Sequence, residues 1–195
     1  MTTGRLWGVG LGPGDPELVT VKAARLLGEA DVIAFHSARH GRSIARSVAA
    51  PYLREGQIEE ALIYPLTTET TDHPGGYQGA IDDFYAESAR RLAAHLDAGR
   101  DVVLLAEGDP LFYGSYMHMH KRLAPHYRTE VVPGVTSVSA ASAALISRAA
   151  LSVISSGSPG PTPTPYSVPG TVLDLASSVT AGSPPRGPAR SPPPR

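Results

Sequence analysis

The chain contains no cysteine, which excludes disulfides, thiolate nucleophiles and cysteine-ligated zinc while leaving the compartment open. No apolar run approaches the roughly 18 residues that a membrane helix needs. Met1-Thr2-Thr3-Gly4-Arg5 leads straight into a strand-like segment with no apolar leader. Charge of either sign is also scarce in the balance: 17 Lys and Arg against 18 Asp and Glu give a formal net charge of -1, so no basic field exists to hold nucleic acid. These absences predict a soluble, cytoplasmic protein with no nucleic-acid and no membrane partner. The apolar fraction of 42% in 195 residues is enough for the packed core of one large domain, or of a domain with an extension.

Three glycine turns follow one another along the chain: Gly8-Val9-Gly10-Leu11-Gly12-Pro13-Gly14-Asp15-Pro16, Glu107-Gly108-Asp109-Pro110-Leu111-Phe112-Tyr113-Gly114 and Val132-Pro133-Gly134-Val135-Thr136-Ser137. Each comes after a short apolar run and before a helix-like stretch, the pattern of strand–turn–helix units. In open α/β sheets ligands bind in the crevice at the carboxyl ends of the strands. The three turns therefore nominate one pocket.

The coarse order is β-α-β-α-β-α, a mainly parallel sheet flanked by helices. Strands are expected at 6–9, 31–35, 61–64, 101–106 and 129–132. The run Asp101-Val102-Val103-Leu104-Leu105-Ala106 reads as a central strand buried on both faces. Asp15 is a good N-cap with Pro16 at the first helical position. Leu18, Val21, Ala24 and Leu27 mark the first helix face, which Gly28 is expected to end. A short helix is predicted over 43–50, a long one after Gly76 with Ile81, Phe84, Tyr85, Leu92 and Leu96 buried and Gly99 as its stop, then helices over 116–123 and 137–146. Beyond Ser147 the texture changes. Eleven of the nineteen prolines lie between Pro159 and Pro194, and Asp174 is the only acidic residue from Ser155 on. Such a segment cannot bury enough surface to offset its ordering entropy. Residues 1–147 are read as the α/β domain and 148–195 as a Pro/Ser/Gly-rich, disordered tail.

The turns carry the chemistry. The first is no phosphate-binding loop, because Asp15 and Pro16 follow Gly14 where Lys and Ser or Thr are needed. Nor is it a dinucleotide fingerprint, whose glycine spacing differs and whose acidic residue follows the second strand; a bare tight turn is the alternative. In the second, Gly108 and Gly114 let backbone approach a ligand, the aromatics supply walls, and Glu107 and Asp109 suit a cationic or hydroxyl-bearing ligand. Asp109 as a simple helix cap is the plainer reading. His36 ends the second strand at the rim where the turns converge and is a candidate acid/base, against a solvated loop histidine. His118 and His120 stand two apart and so point in different directions on a helix. With His126 they make a poor chelating set, and no metal is expected. Ser137 lacks a nucleophile-elbow pattern, which disfavours hydrolysis.

Together these segments resemble the tetrapyrrole methylase family over residues 5 to about 146. The first turn is similar to the family's first signature, and the stretch from Val103 through Gly108-Asp109 and Gly114 to Pro133-Gly134-Val135 to its second. Ala106-Glu107-Gly108-Asp109-Pro110-Leu111-Phe112-Tyr113-Gly114-Ser115-Tyr116-Met117, with Tyr64-Pro65-Leu66-Thr67-Thr68-Glu69 and Asp72-His73-Pro74-Gly75-Gly76, is most similar to members that methylate precorrin-2. The resemblance implies S-adenosylmethionine-dependent methylation of precorrin-2, or of its cobalt-bound counterpart, at C20 to give precorrin-3A in cobalamin biosynthesis. It implies donor contacts at Pro13, Glu107, Gly108, Asp109, Phe112, Thr136 and Ser137, no metal, and a homodimer for intact members. His36 falls where related enzymes carry an acid/base aspartate. Gly12, Gly14, Asp15, Arg39 and Arg42 are candidates for the macrocycle, with His40 beside the two arginines. Family members carry a second α/β domain that closes the donor cleft. The proline-rich tail stands in its place here, as a truncation or altered reading frame would leave it. A non-catalytic remnant and a sibling methylase acting on another ring carbon stay open as alternatives.

Overall fold

The computed structural model of the chain describes residues 2–39, 41–65 and 71–155, with 148–155 described by their backbone alone. Five strands form one sheet: β1 (Leu6–Gly10), β2 (Val32–Ser37), β3 (Ile58–Ile63), β4 (Val102–Ala106) and β5 (Thr129–Val132), in the order β3-β2-β4-β1-β5. Every pairing is parallel. The unbroken apolar run of β4 does lie at the centre, and all five of its residues are buried. Its alternate residues serve opposite faces, as a period of two requires. Val102 and Leu104 pack under α3 (Gly76–Asp97) and α4 (Tyr116–Leu123), against Tyr85, Leu92, Tyr116 and Met119. Val103 and Leu105 pack under α1 (Val21–Glu29) and α2 (Ile44–Ala49), against Ala23, Leu27, Val48 and Ala49.

The first helix departs from its expected phase. Asp15 does cap a turn, accepting from the Glu17 N–H at 2.9 Å, but that turn is a single 3-10 turn, Pro16–Leu18. Val19 and Thr20 then extend, and Thr20 caps α1 by accepting from the Ala23 N–H. This break re-phases the helix, so Ala23, Leu26 and Leu27 are buried while Val21 is 88% exposed. Gly28 belongs to the last turn of α1, and the helix ends at Ala30, whose N–H donates to the Leu26 carbonyl. The expected stop at Gly99 is found: it adopts φ +77° and donates to the Leu96 carbonyl after α3. The last helix, α5 (Ser137–Ser155), continues beyond Ile146. The chain divides into units Met1–Ala149 and Ala150–Arg195. The expectation of a disordered tail falls mainly on 156–195, outside the described residues. Among the described residues no helix is long and apolar enough to cross a membrane.

Candidate active site

Because β4, β1 and β5 are neighbours, their carboxyl ends deliver the three glycine turns side by side. The contact is backbone on backbone. A Cβ on Gly134 would lie 2.1 Å from the Gly108 carbonyl oxygen and 2.8 Å from the carbonyl carbon of Gly10, distances that only glycine avoids. Gly12 and Gly108 exchange two hydrogen bonds, of 3.3 and 2.8 Å, in an isolated antiparallel bridge. The Asp109 carboxylate fastens the rest, accepting from the Leu111 N–H at 2.8 Å and from the Gly134 N–H at 3.1 Å. The second turn is thus tied to both of its neighbours.

Two chambers open on this rim. The smaller, of about 180 Å³, is lined by Pro13, Glu107, Gly108, Asp109, Phe112, Thr136 and Ser137 together with Gly12 and Ile44. The larger, of about 600 Å³, lies between the ends of β2 and β4, the start of α2 and the 112–116 segment, and it includes His36, Arg42 and Tyr64. Ile44, Glu107 and Phe112 line both. The substrate-side candidates are scattered. Gly12 lines the small chamber and Arg42 the large one. Arg39 instead lines a separate groove formed by β3 and α3, beside Ile63, Asp83 and Arg91. Gly14 and Asp15 are exposed and line neither chamber, and the Asp15 carboxylate is engaged in its cap. His40 lies outside the described residues.

His36 sits in an aromatic cage. Its ring stacks on Tyr64 at 5.4 Å and is flanked by Phe84 at 6.0 Å and Tyr85 at 6.2 Å. Its Nε2 is enclosed and has no hydrogen-bond partner among the described residues. Burial, with the nearby His118 adding to it, pushes the imidazole pKa down to about 4, so the ring is neutral near pH 7. The Tyr64 hydroxyl shares a hydrogen bond with Ser115 Oγ and lies 3.5 Å from the Tyr85 hydroxyl. Burial raises the Tyr64 phenol above its ordinary value and pushes Tyr116 up to about 12. Both phenols therefore stay protonated. His118, His120 and His126 go to separate partners: His118 stacks on Tyr85 at 4.2 Å, His120 Nδ1 is 3.2 Å from the Tyr116 hydroxyl, and His126 stands beside Tyr127. Sequence reasoning missed Tyr64, Ser115 and Ile44 as parts of the site. The available signal was position, since Tyr64 directly follows β3 at its carboxyl end and Ile44 is an apolar first residue of α2, whose amino end meets the same rim.

A parallel sheet with helices on both faces and a divided crevice across its carboxyl rim is the α/β architecture whose rim commonly holds ligands. The chain belongs to the Tetrapyrrole (Corrin/Porphyrin) Methylases, a family that matches residues 5–157. Cobalamin biosynthesis protein CobIJ of Mycobacterium tuberculosis (strain ATCC 25618 / H37Rv) is 72% identical over 142 residues, covering 73% of this chain and 28% of the relative. A Precorrin-2 C(20)-methyltransferase of Sinorhizobium sp is 56% identical over 137 residues, covering 70% of this chain and 56% of the relative. Among solved structures, cobalt precorrin-4 methyltransferase CbiF is similar with a TM-score of 0.52 and 33% identity, over 72% of this chain and 49% of that one. The chain thus spans between 28% and 56% of the length of these proteins.

Proposed function

We propose that the chain acts in the methylation of precorrin-2, or its cobalt-bound counterpart, at C20 to give precorrin-3A, with S-adenosylmethionine as donor. The observation that carries this reading is the pair of chambers with a common wall of Ile44, Glu107 and Phe112. A group transfer in line needs its two partners held end to end, and chambers that meet at the same three residues place their occupants next to each other. The bound donor would supply a methyl group on a sulfonium, a carbon open to displacement. Glu107 and Asp109 line the small chamber and suit a cationic, hydroxyl-bearing guest, with Gly108 and Gly12 allowing its close approach. About 180 Å³ is less than the roughly 300 Å³ at which small-molecule sites begin, so this chamber would enclose part of the donor.

The large chamber is apolar where Tyr64, Leu105, Phe112 and Tyr113 line it, as a flat macrocycle requires, and Arg42 offers a cation to a carboxylate rim. His36 is neutral and lines the same chamber. Its neutral ring has an acceptor nitrogen that would receive the proton the methylated carbon loses. Cytoplasmic location and a homodimer of the intact protein belong to the same reading. Isothermal titration with S-adenosylhomocysteine and mass analysis of products from precorrin-2 and its cobalt form test it. Saturable heat and one added methyl are expected; no heat at millimolar ligand would sink the reading. The size of the small chamber favours a second reading, a donor-binding half without turnover, for which heat without product is the signature.

A further inference from the structure

The second turn ends in a tip whose conformation the free chain does not repay. Leu111, Phe112 and Tyr113 are 60%, 49% and 97% exposed, three large apolar residues in succession. Tyr113 also has φ +55° and is the single non-glycine residue with positive φ among those described. That conformation is disfavoured for any L-residue, and for a bulky side chain it is a true outlier.

The strain has an identifiable origin. The Asp109 carbonyl accepts from the Phe112 N–H at 3.1 Å, and its carboxylate accepts from the Leu111 N–H. Gly114 folds back so closely that a Cβ there would stand 3.3 Å from the Pro110 carbonyl oxygen. The turn is thus pinned on both sides of Tyr113, which is forced into the left-handed region. Glycine would occupy that position without strain, yet the chain places a tyrosine there. The side chain recovers nothing from the fold. Its one ring contact among the described residues is an edge-on approach to Phe112 at 4.9 Å, and its hydroxyl has no hydrogen-bond partner among them. Strain of this kind persists where a function needs the side chain displayed.

Tyr113 and Phe112 both line the large chamber. We infer that Tyr113 is a specificity-determining residue of that chamber, its ring displayed as a platform against one flat face of the tetrapyrrole. The inference rests on the function proposed above and adds to it the surface that recognises planarity. A flat conjugated ring with a polar edge matches the chemistry on offer: an aromatic platform whose stacking is indifferent to the guest's substituents, with Arg42 on the same chamber for a carboxylate. A protein surface seated on the tip is the competing occupant, and it makes different demands.

The test uses the full chain with uroporphyrin III as probe, followed by its Soret band, and S-adenosylhomocysteine as control, followed by calorimetry. Tyr113→Gly is expected to weaken porphyrin binding about tenfold, the scale of one aromatic stack, while its melting temperature stays level or rises because the strain is relieved. Tyr113→Phe is expected to keep porphyrin affinity within about twofold of the parent, since the face of the ring is retained. S-adenosylhomocysteine affinity should be the same in all three chains. Loss of porphyrin affinity without a fall in melting temperature is the signature that a merely structural tyrosine would not give. Equal porphyrin affinity in the parent and Tyr113→Gly would overturn the platform and leave the proposed function standing. A lower melting temperature with loss of both ligands would overturn the platform and assign Tyr113 to folding. Failure of the parent to bind porphyrin while it binds S-adenosylhomocysteine would overturn the macrocycle reading itself.

Discussion

At Gly134 a single methyl group is too many. Gly134→Ala would drive a Cβ into the Gly108 carbonyl, and backbone cannot swing aside as a side-chain end can. Urea denaturation is expected to show a loss of at least about 2–3 kcal/mol, or no folded protein. His36 supplies a second residue-scale test. Its folded pKa of about 4 lies below the ordinary 6.5, so the unfolded chain binds the proton more readily. Stability attributable to this group is therefore intact above about pH 6.5 and falls as pH drops toward 4, by on the order of 3 kcal/mol in total. Tyr64, Tyr85 and Phe84 pack around the ring and His118 is the nearby titrating group. Urea midpoints measured between pH 7 and 4 should fall less steeply for His36→Phe than for the parent; equal slopes would show that the caged imidazole is not the source. His36 was legible as a rim residue because it ends an apolar strand. Its cage was not, because Tyr64, Phe84 and Tyr85 reach it from two other elements.

Turns and helices were legible to different degrees, for a physical reason. The glycine turns announce themselves because close backbone packing admits no other residue. The centre of the sheet was plain from Val102 to Ala106, since only a strand covered on both faces is apolar at every position. The phase of α1 was not, because one extended pair, Val19 and Thr20, shifts the helical repeat without leaving any compositional mark. Asp109 is the element-scale test. Its carboxylate holds the second turn in shape and ties it to the third through Gly134. Asp109→Ala strands two N–H groups and is expected to cost about 1–3 kcal/mol for each that stays buried without a partner, with a several-fold weaker calorimetric affinity for S-adenosylhomocysteine. Asp109→Asn retains one acceptor oxygen and should lose less of both. The order parent, Asn, Ala is the checkable outcome.

For the domain as a whole, order in the sheet matters more than order in the chain. β1 joins the two units carried by β4 and β5, segments about a hundred residues away along the sequence, and the rim exists only once those long-range pairings form. The sequence pattern could therefore nominate the three turns but could not show that Arg39 lines a separate groove beside β3 and α3 while Arg42 remains. α5 raises a different matter at this scale. Val138, Leu145 and Ile146 are all exposed along it, a hydrophobic patch of the kind that binds apolar dyes and other proteins. Leu145→Ser with Ile146→Lys is expected to reduce the fluorescence of bound anilinonaphthalene sulfonate with no fall in melting temperature, and undiminished fluorescence would locate the patch elsewhere. The partition formed by Ile44, Glu107 and Phe112 carries one last consequence. Any guest that shifts those three side chains from one side changes the space left on the other. Whatever factor the first occupant imposes on the second must return unchanged when the order of arrival is reversed, so the two compartments share a single thermodynamic cycle.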